Sequence, residues 1–135
     1  MKDLDPDVRP TYATLIASME VERLVEVSDD DYQGDTRLLL RQNGRYGYLC
    51  FGWGSCSGCD ALEDATPWDS PYVNDEVIHL RDNLWNQIVW HETATDMLSY
   101  FRTKDWNLDY RHDKKFSQQV ENRLEAIIYE QSKGK

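Results

Sequence analysis

Apolar residues recur at helical spacing in the first part of the chain. From Pro10 onwards they occupy positions i, i+3, i+4 and i+7, and these are Tyr12, Leu15, Ile16 and Met19. This spacing predicts an amphipathic helix with one buried stripe. Pro10 fits the first turn of that helix, because the N–H that proline lacks has no partner there. The acidic residues 1–9 predict a loose tail.

Alternation with a period of two follows the helix and predicts strands. Residues 22–28 form the first strand, with one face made of Arg23, Val25 and Val27. A second strand runs from Thr36 to Arg41, and its run of leucines at 38–40 predicts burial on both faces. The Asp-rich residues 29–35 predict a turn between these strands, in which Gly34 has a positive φ.

The dipeptide Asn43-Gly44 predicts a tight β-hairpin turn into a third strand, Arg45 to Trp53. Its alternation places Tyr46, Tyr48, Cys50 and Gly52 on one side, and Gly47, Leu49, Phe51 and Trp53 on the other. The three strands form an antiparallel meander over about residues 21–53.

Helical patterns dominate the rest of the chain. They predict a short helix over 57–65, a helix capped by Asn74 or Asp75 that runs to about Trp90, a helix from Thr93 to Lys104, and a final helix capped by Asp113. Residues 87–90 can alternatively form a short strand, and residues 132–135 fray. The sequence thus predicts one α+β domain over 1–135, in which three or four helices follow the meander and pack on one face of the sheet.

The charge of the chain restricts its partners. It carries 25 Asp and Glu against 15 Lys and Arg, a formal net charge of −10. Such a charge repels nucleic acid and anionic membrane, so direct binding to either is not expected. It suits a basic protein partner, although solubility alone also explains an acidic surface. A homodimer is compatible with the sequence as well.

The sequence indicates a cytoplasmic location. It has no apolar run of about 18 residues that could span a membrane. Its first residues are acidic and lack the basic and apolar regions of a signal peptide. Its three cysteines cannot all pair, and cytosolic thiols stay reduced, so a disulfide framework is not expected.

Residues 45–62 are the most unusual stretch of the sequence. They contain four glycines, four aromatic residues and all three cysteines. An aromatic strand enters a glycine-rich turn, which opens a helix, and such corners often carry sites. Three kinds of chemistry and one structural interpretation compete there.

Zinc is the candidate metal. Cys56 and Cys59 have the two-residue spacing that lets two thiolates reach one zinc ion, and Cys50 is a possible third ligand. A histidine would complete the tetrahedron, and the candidates are His79, His91 and His112. Because no second pair with ligand spacing exists, the pattern is half of a zinc site.

The same two cysteines can also form a redox pair. Cys56 would be the nucleophile and Cys59 the resolving thiol, since a helix N-terminus stabilises a thiolate. Asp60 and Glu63 oppose this, because their charges disfavour a neighbouring thiolate.

A third possibility is a small anion or nucleotide bound to backbone N–H groups of the turn. The aromatic side chains of the preceding strand would stack a base. The residues of this ligand site are Tyr46, Tyr48, Trp53, Gly54, Ser55, Cys56, Ser57, Gly58 and Cys59. The turn matches neither phosphate-binding glycine motif and lacks the lysine that reaches a phosphate.

The structural interpretation is favoured over all three. Small cysteines pack in a tight turn, and glycines let a strand bend beneath aromatic rings. The other chemical candidates are also better explained structurally: His91 beside Glu92 has no attached nucleophile, and Asp29 to Asp31 with Asp35 lack the spacing of a calcium loop. With no catalytic signature, we expect a protein that is not an enzyme.

Three segments resemble a pattern found in small proteins of bacteriophages and their bacterial hosts. They are Asp31-Tyr-Gln-Gly-Asp35, the segment from Tyr46 to Leu62 with its Gly-Ser-Cys-Ser-Gly-Cys-Asp-Ala-Leu run, and Leu80-Arg-Asp-Asn-Leu-Trp85. The resemblance spans about half of the chain and implies a setting rather than a reaction. It implies a viral accessory protein that binds and modulates a host protein, such as a defence or nucleic-acid-handling factor.

Overall fold

A computed structural model describes residues 1–30, 32–54, 60–106 and 111–133 of the chain. These residues form an α+β domain with an antiparallel sheet. The elements follow one another as α1 (Tyr12–Ser18), β1 (Glu22–Ser28), β2 (Gly34–Gln42), β3 (Arg45–Trp53), α2 (Ala61–Ala65), α3 (Asp75–Gln87), β4 (Val89–His91), α4 (Ala94–Thr103) and α5 (Arg111–Lys133).

The first three strands form the predicted meander. β2 pairs antiparallel with both neighbours, with Leu39 opposite Val25 of β1 and Tyr48 of β3. The turn into β3 has φ of 53° at Asn43 and 80° at Gly44. Positive φ at both central residues matches the right-handed twist of the strands, which confirms the hairpin prediction.

A fourth strand extends the meander, so that the spatial order is β1-β2-β3-β4. The helix predicted to reach Trp90 ends at Gln87, and Ile88 is already extended at φ −65° and ψ 128°. The alternative of a short strand is therefore confirmed, although it spans 89–91. Gly47 makes room for it, because a Cβ there would lie 2.6 Å from Ile88 and 2.9 Å from Trp90.

Helices cover both faces of this sheet, so the prediction of one covered face is wrong. On one face, α1, α2 and α3 pack over Leu38, Leu40, Leu49 and Phe51. On the other, α4 and α5 pack over Val25, Val27, Leu39 and Tyr46. The predicted two-sided burial of β2 is confirmed, because its consecutive leucines point alternately into the two cores.

The helix starts differ from prediction at three places. α2 begins at Ala61, because Asp60 is extended and caps it, so the start predicted at 57 is wrong. Thr11 caps α1 and accepts a hydrogen bond from the Thr14 N–H, so Pro10 lies before the cap rather than in the first turn. α5 begins at Arg111, so Asp113 lies in its first turn and is not its cap. Asn74 and Thr93 cap α3 and α4 as predicted. Within the described ranges, no helix is long and apolar enough to cross a membrane.

Candidate functional site

The corner after β3 is held by one buried carboxylate. Asp60, 6% exposed, accepts from the N–H groups of Leu62 and Glu63 and thereby caps α2. Its other oxygen accepts from the Gly54 N–H at 2.9 Å. The Tyr12 hydroxyl donates to Oδ1 of Asp60, the oxygen that caps α2, at 2.8 Å. Asp60 therefore fixes α1, the end of β3 and the start of α2 to one another, and only its position near the helix start was evident from the sequence.

Burial and the hydrogen bond to Asp60 raise the pKa of Tyr12 well above its ordinary value of 10.0. A tyrosine is protonated at neutral pH in any case, and the raised pKa keeps the Tyr12 phenol a donor to the carboxylate at alkaline pH as well. This hydrogen bond links α1 to the start of α2 and has a structural role.

The aromatic residues predicted to stack a base lie on opposite faces of the sheet. Tyr46 is 2% exposed, and Tyr48 packs edge-on against Phe101 with ring centroids 5.3 Å apart. Trp53 lies on the other face, where its Nε1 donates to the Thr36 hydroxyl at 2.9 Å. The structure does not bring these rings together, because neighbouring odd and even positions of a strand point in opposite directions.

The remaining predicted ligands of the turn, Ser55, Cys56, Ser57, Gly58 and Cys59, lie outside the described residues. The zinc, redox and anion interpretations of these five residues stay predictions. Elemental analysis with a thiol count tests the first two, and a thermal-shift screen with nucleotides tests the third through stabilisation of the folded state.

The described candidates for metal ligands do not converge. Cys50 is half-buried on β3, and burial, together with the charge of Asp35, raises the pKa of its thiol. The histidines lie on three separate elements: His79 on α3, His91 on β4 and His112 on α5. In the ranges 1–30, 32–54, 60–106 and 111–133, no group of three or more His, Cys, Asp or Glu side chains is arranged to hold a metal ion.

A cluster of charges lies on the α5 side of the sheet, and no local sequence pattern indicates it. We call it the Arg37 cluster, and it consists of Asp29, Asp30, Arg37, Arg111, His112 and Asp113. Arg37 is 3% exposed on β2. It donates to Asp113 at 2.6 Å and to Asp29 at 3.0 Å. Burial disfavours its charge, but these two carboxylates outweigh burial and hold the pKa of Arg37 above its ordinary value.

The Arg37 cluster joins the loop after β1 to the start of α5. Arg111 pairs with Asp30 at 2.9 Å, and His112 Nε2 lies 3.2 Å from the same carboxylate. Asp29 also accepts from the Asp35 N–H at 2.8 Å, so its carboxylate closes the loop 29–35. The divalent-cation interpretation of Asp29 and Asp35 is thereby weakened, because Asp29 already serves an arginine and a backbone amide.

Gly34 permits this loop closure. It is outside the left-handed region, so the predicted positive φ is wrong. A Cβ at Gly34 would lie 2.8 Å from Cγ of Asp29 and closer still to its Cβ. The glycine is needed because the Asp29 side chain passes directly over it.

A second charged region is exposed and contains carboxylates but no Lys or Arg, and we call it the acidic loop surface. It comprises the exposed residues Glu63, Asp64, Trp68, Asp69, Tyr72, Asp75 and Glu76. No Lys or Arg occurs between Arg45 and Arg81 in the sequence. Trp68 is 93% exposed and Tyr72 is 50% exposed. Tryptophan is highly buried on average in folded domains, so the exposure of Trp68 is unusual for its residue type.

The carboxylates of the acidic loop surface are not neutralised by the chain itself. Among the described residues, none of the five lies within ion-pair distance of a Lys or Arg side chain. Four of them occupy the first turns of α2 and α3, where negative charge stabilises a helix N-terminus. That effect accounts for their positions in the helices, but it does not account for the exposed ring of Trp68 beside them.

The sequence indicates a loop over residues 66–71 but does not indicate that Trp68 is exposed, because that exposure depends on how α2 and α3 are placed. The gap in basic residues from 46 to 80 was the available signal. Comparisons of the chain with protein families, with curated proteins and with solved structures find no match.

Proposed function

We propose that this protein is a non-enzymatic binding protein whose acidic loop surface engages a basic protein. The supporting observation is the nearly complete exposure of Trp68 among carboxylates that have no basic partner in the described chain. Tryptophan and tyrosine supply much of the energy at protein interfaces, and complementary charge steers partners together. An exposed indole that shares a groove with Glu63 and Asp64 combines both features.

The proposed setting is a bacterial cytoplasm. The resemblance of three segments to proteins of bacteriophages and their hosts supports a viral accessory protein that binds a host factor. A nuclease of a defence system or another nucleic-acid-handling protein has the basic surface that would complement this one. The negative charge of the whole chain favours such a partner over nucleic acid itself.

The test is capture from bacterial lysates with the tagged chain, followed by measurement of binding to the recovered protein. We expect one basic protein, recovered in stoichiometric amount and released by salt. The variant Glu63→Gln/Asp64→Asn/Asp69→Asn removes three charges from the acidic loop surface. We expect it to weaken binding at least about tenfold, since complementary charge sets association.

The matched control is Glu92→Gln/Asp96→Asn/Glu121→Gln, which removes the same number of charges away from the acidic loop surface. Like the first three, these carboxylates make no ion pair within the described ranges. The control variant is expected to bind like the unaltered chain. Equal weakening by both variants, or no partner at low salt from several lysates, contradicts the proposal.

A further inference from the structure

A groove runs beside Trp68 at one edge of the acidic loop surface. One part, of about 450 Å³, is lined by Arg9, Glu63, Asp64, Thr66, Pro67 and Trp68. It adjoins a second part of about 240 Å³ that reaches Tyr12 and Leu62, and the two parts share Arg9, Glu63 and Thr66. The N-terminal segment before α1 forms one wall, and α2 with the following loop forms the other.

The charges along this groove favour a cation. Glu63 and Asp64 are exposed and, in the described part of the chain, have no ion-pair partner. Arg9 is the only basic residue that lines the groove, and it makes no ion pair within the described residues. With the buried Asp60 of the second part, three carboxylates against one guanidinium leave the lining negative. An anionic or purely apolar occupant would displace water from these carboxylates and would offer them no hydrogen bond or opposite charge in return.

The aromatic wall favours one kind of cation. Trp68 is 93% exposed and lines the groove, so its indole is accessible to an incoming group. Tryptophan is the strongest cation–π partner among the side chains, and arginine uses it more often than lysine does. The planar guanidinium stacks on an aromatic ring and pairs with carboxylates through a fork of N–H donors, and it is less strongly hydrated than an ammonium.

We propose that this groove holds an arginine side chain of the basic partner, with the guanidinium on the ring of Trp68 and hydrogen-bonded to the carboxylates of Glu63 and Asp64. This inference rests on the proposed function and names the chemistry that the acidic loop surface recognises. Arginine side chains project from the basic surfaces of proteins that handle nucleic acid, so the occupant agrees with the proposed class of partner.

The probe is the capped peptide Gly-Ser-Arg-Ser-Gly, titrated into ¹⁵N-labelled full-length protein and followed by amide and indole N–H shifts. Two further peptides replace the arginine with lysine or with citrulline, which keeps the shape but carries no charge. We expect saturable shifts at the indole of Trp68 and at the amides of Glu63 and Asp64 with the arginine peptide. The lysine peptide should bind more weakly, and the citrulline peptide should give no saturable shift.

The variants Trp68→Ala and Glu63→Gln/Asp64→Asn should each weaken arginine-peptide binding at least about tenfold, because each removes one of the two contacts. The control Glu92→Gln/Asp96→Asn should leave it unchanged. Equal binding of the arginine and citrulline peptides, shifts centred elsewhere, or full binding by Trp68→Ala overturns the inference.

Failure of the arginine-groove inference can be told apart from failure of the proposed binding function. If a captured partner binds through the acidic loop surface but is insensitive to Trp68→Ala, the arginine groove is wrong and the binding function stands. If the arginine peptide binds as expected and lysates still yield no partner, the groove is supported and the proposed function is contradicted.

Discussion

The Arg37 cluster and the acidic loop surface both contain several carboxylates, but the two regions differ in how those carboxylates are paired and how far they are buried. In the Arg37 cluster, a 3% exposed guanidinium is matched by carboxylates at 2.6 and 3.0 Å. On the acidic loop surface, exposed carboxylates have no basic partner in the described chain, and a 93% exposed tryptophan stands among them. The first region is satisfied from within the molecule, and the second is not.

This difference separates charged side chains that stabilise the fold from charged side chains that remain open to contact with another molecule. Removing one partner of a buried ion pair leaves the other charge uncompensated in a poorly solvated place. An exposed carboxylate is already hydrated, so its removal changes the folded state little. Net charge alone does not distinguish the two roles. Burial and pairing do: they assign the Arg37 cluster to the fold, and they leave the carboxylates of the acidic loop surface hydrated and accessible, as the proposed binding function requires.

The largest expected effect comes from breaking the Arg37 cluster. Arg37→Met removes the counter-charge of Asp29 and Asp113, and we expect a loss of about 3–5 kcal/mol in the free energy of unfolding. Urea denaturation followed by circular dichroism measures it. The control is Arg41→Met, which breaks the exposed pair with Glu22 at 2.8 Å and should cost about 1 kcal/mol or less. Equal losses in both variants would contradict the view that the buried pairs of Arg37 stabilise the fold more than an exposed pair does.

A smaller loss is expected when the loop beneath the Arg37 cluster is crowded. Gly34→Ala places a methyl group against the Asp29 side chain, which is held by Arg37 and by the Asp35 N–H. We expect a cost of about 1–3 kcal/mol from the forced displacement. Gly52→Ala is the matched control, since its Cβ would lie 3.5 Å from the nearest atom, an ordinary contact. Thermal unfolding of both variants compares them, and an unaffected Gly34→Ala would show that the Asp29 side chain shifts without a measurable cost in stability.

The smallest effect is expected on the acidic loop surface. Trp68→Ala should change the free energy of unfolding by no more than about 0.5 kcal/mol, because the ring is almost fully solvated. Circular dichroism in urea is the suitable measurement, as it does not depend on the deleted fluorophore. A loss above about 1 kcal/mol would mean that the ring packs into the fold, and its assignment to a partner would fail.

Much of the fold was predictable, because its signals are local. The Asn43-Gly44 turn, the bounds of β3 and the caps at Asn74 and Thr93 follow from backbone preferences of single residues. The leucine run of β2 indicated burial on both faces, yet it did not show that helices would supply it. β4 was ambiguous, since three residues of strand follow a helix directly and only pairing with Tyr46–Tyr48 defines them.

The two charged regions were less predictable, for a physical reason. Arg37 and Asp113 are 76 positions apart, and nothing in the local pattern joins them. The Asp-rich loop was visible, but the use of Asp29 as a partner of Arg37 depends on where α5 packs. Exposure of Trp68 likewise depends on the placement of α2 and α3, because Thr66-Pro67-Trp68 reads as any polar turn.

The order of the strands in space is also their order along the chain. During synthesis, the hairpins from Glu22 to Trp53 can therefore pair with strands that have already left the ribosome. Contacts between near neighbours in sequence form quickly, since little chain must be ordered to close each one. The Arg37 cluster cannot form until α5 is made, after all four strands of the sheet. We expect a nascent sheet to precede it, with the guanidinium of Arg37 open to water until Asp113 arrives.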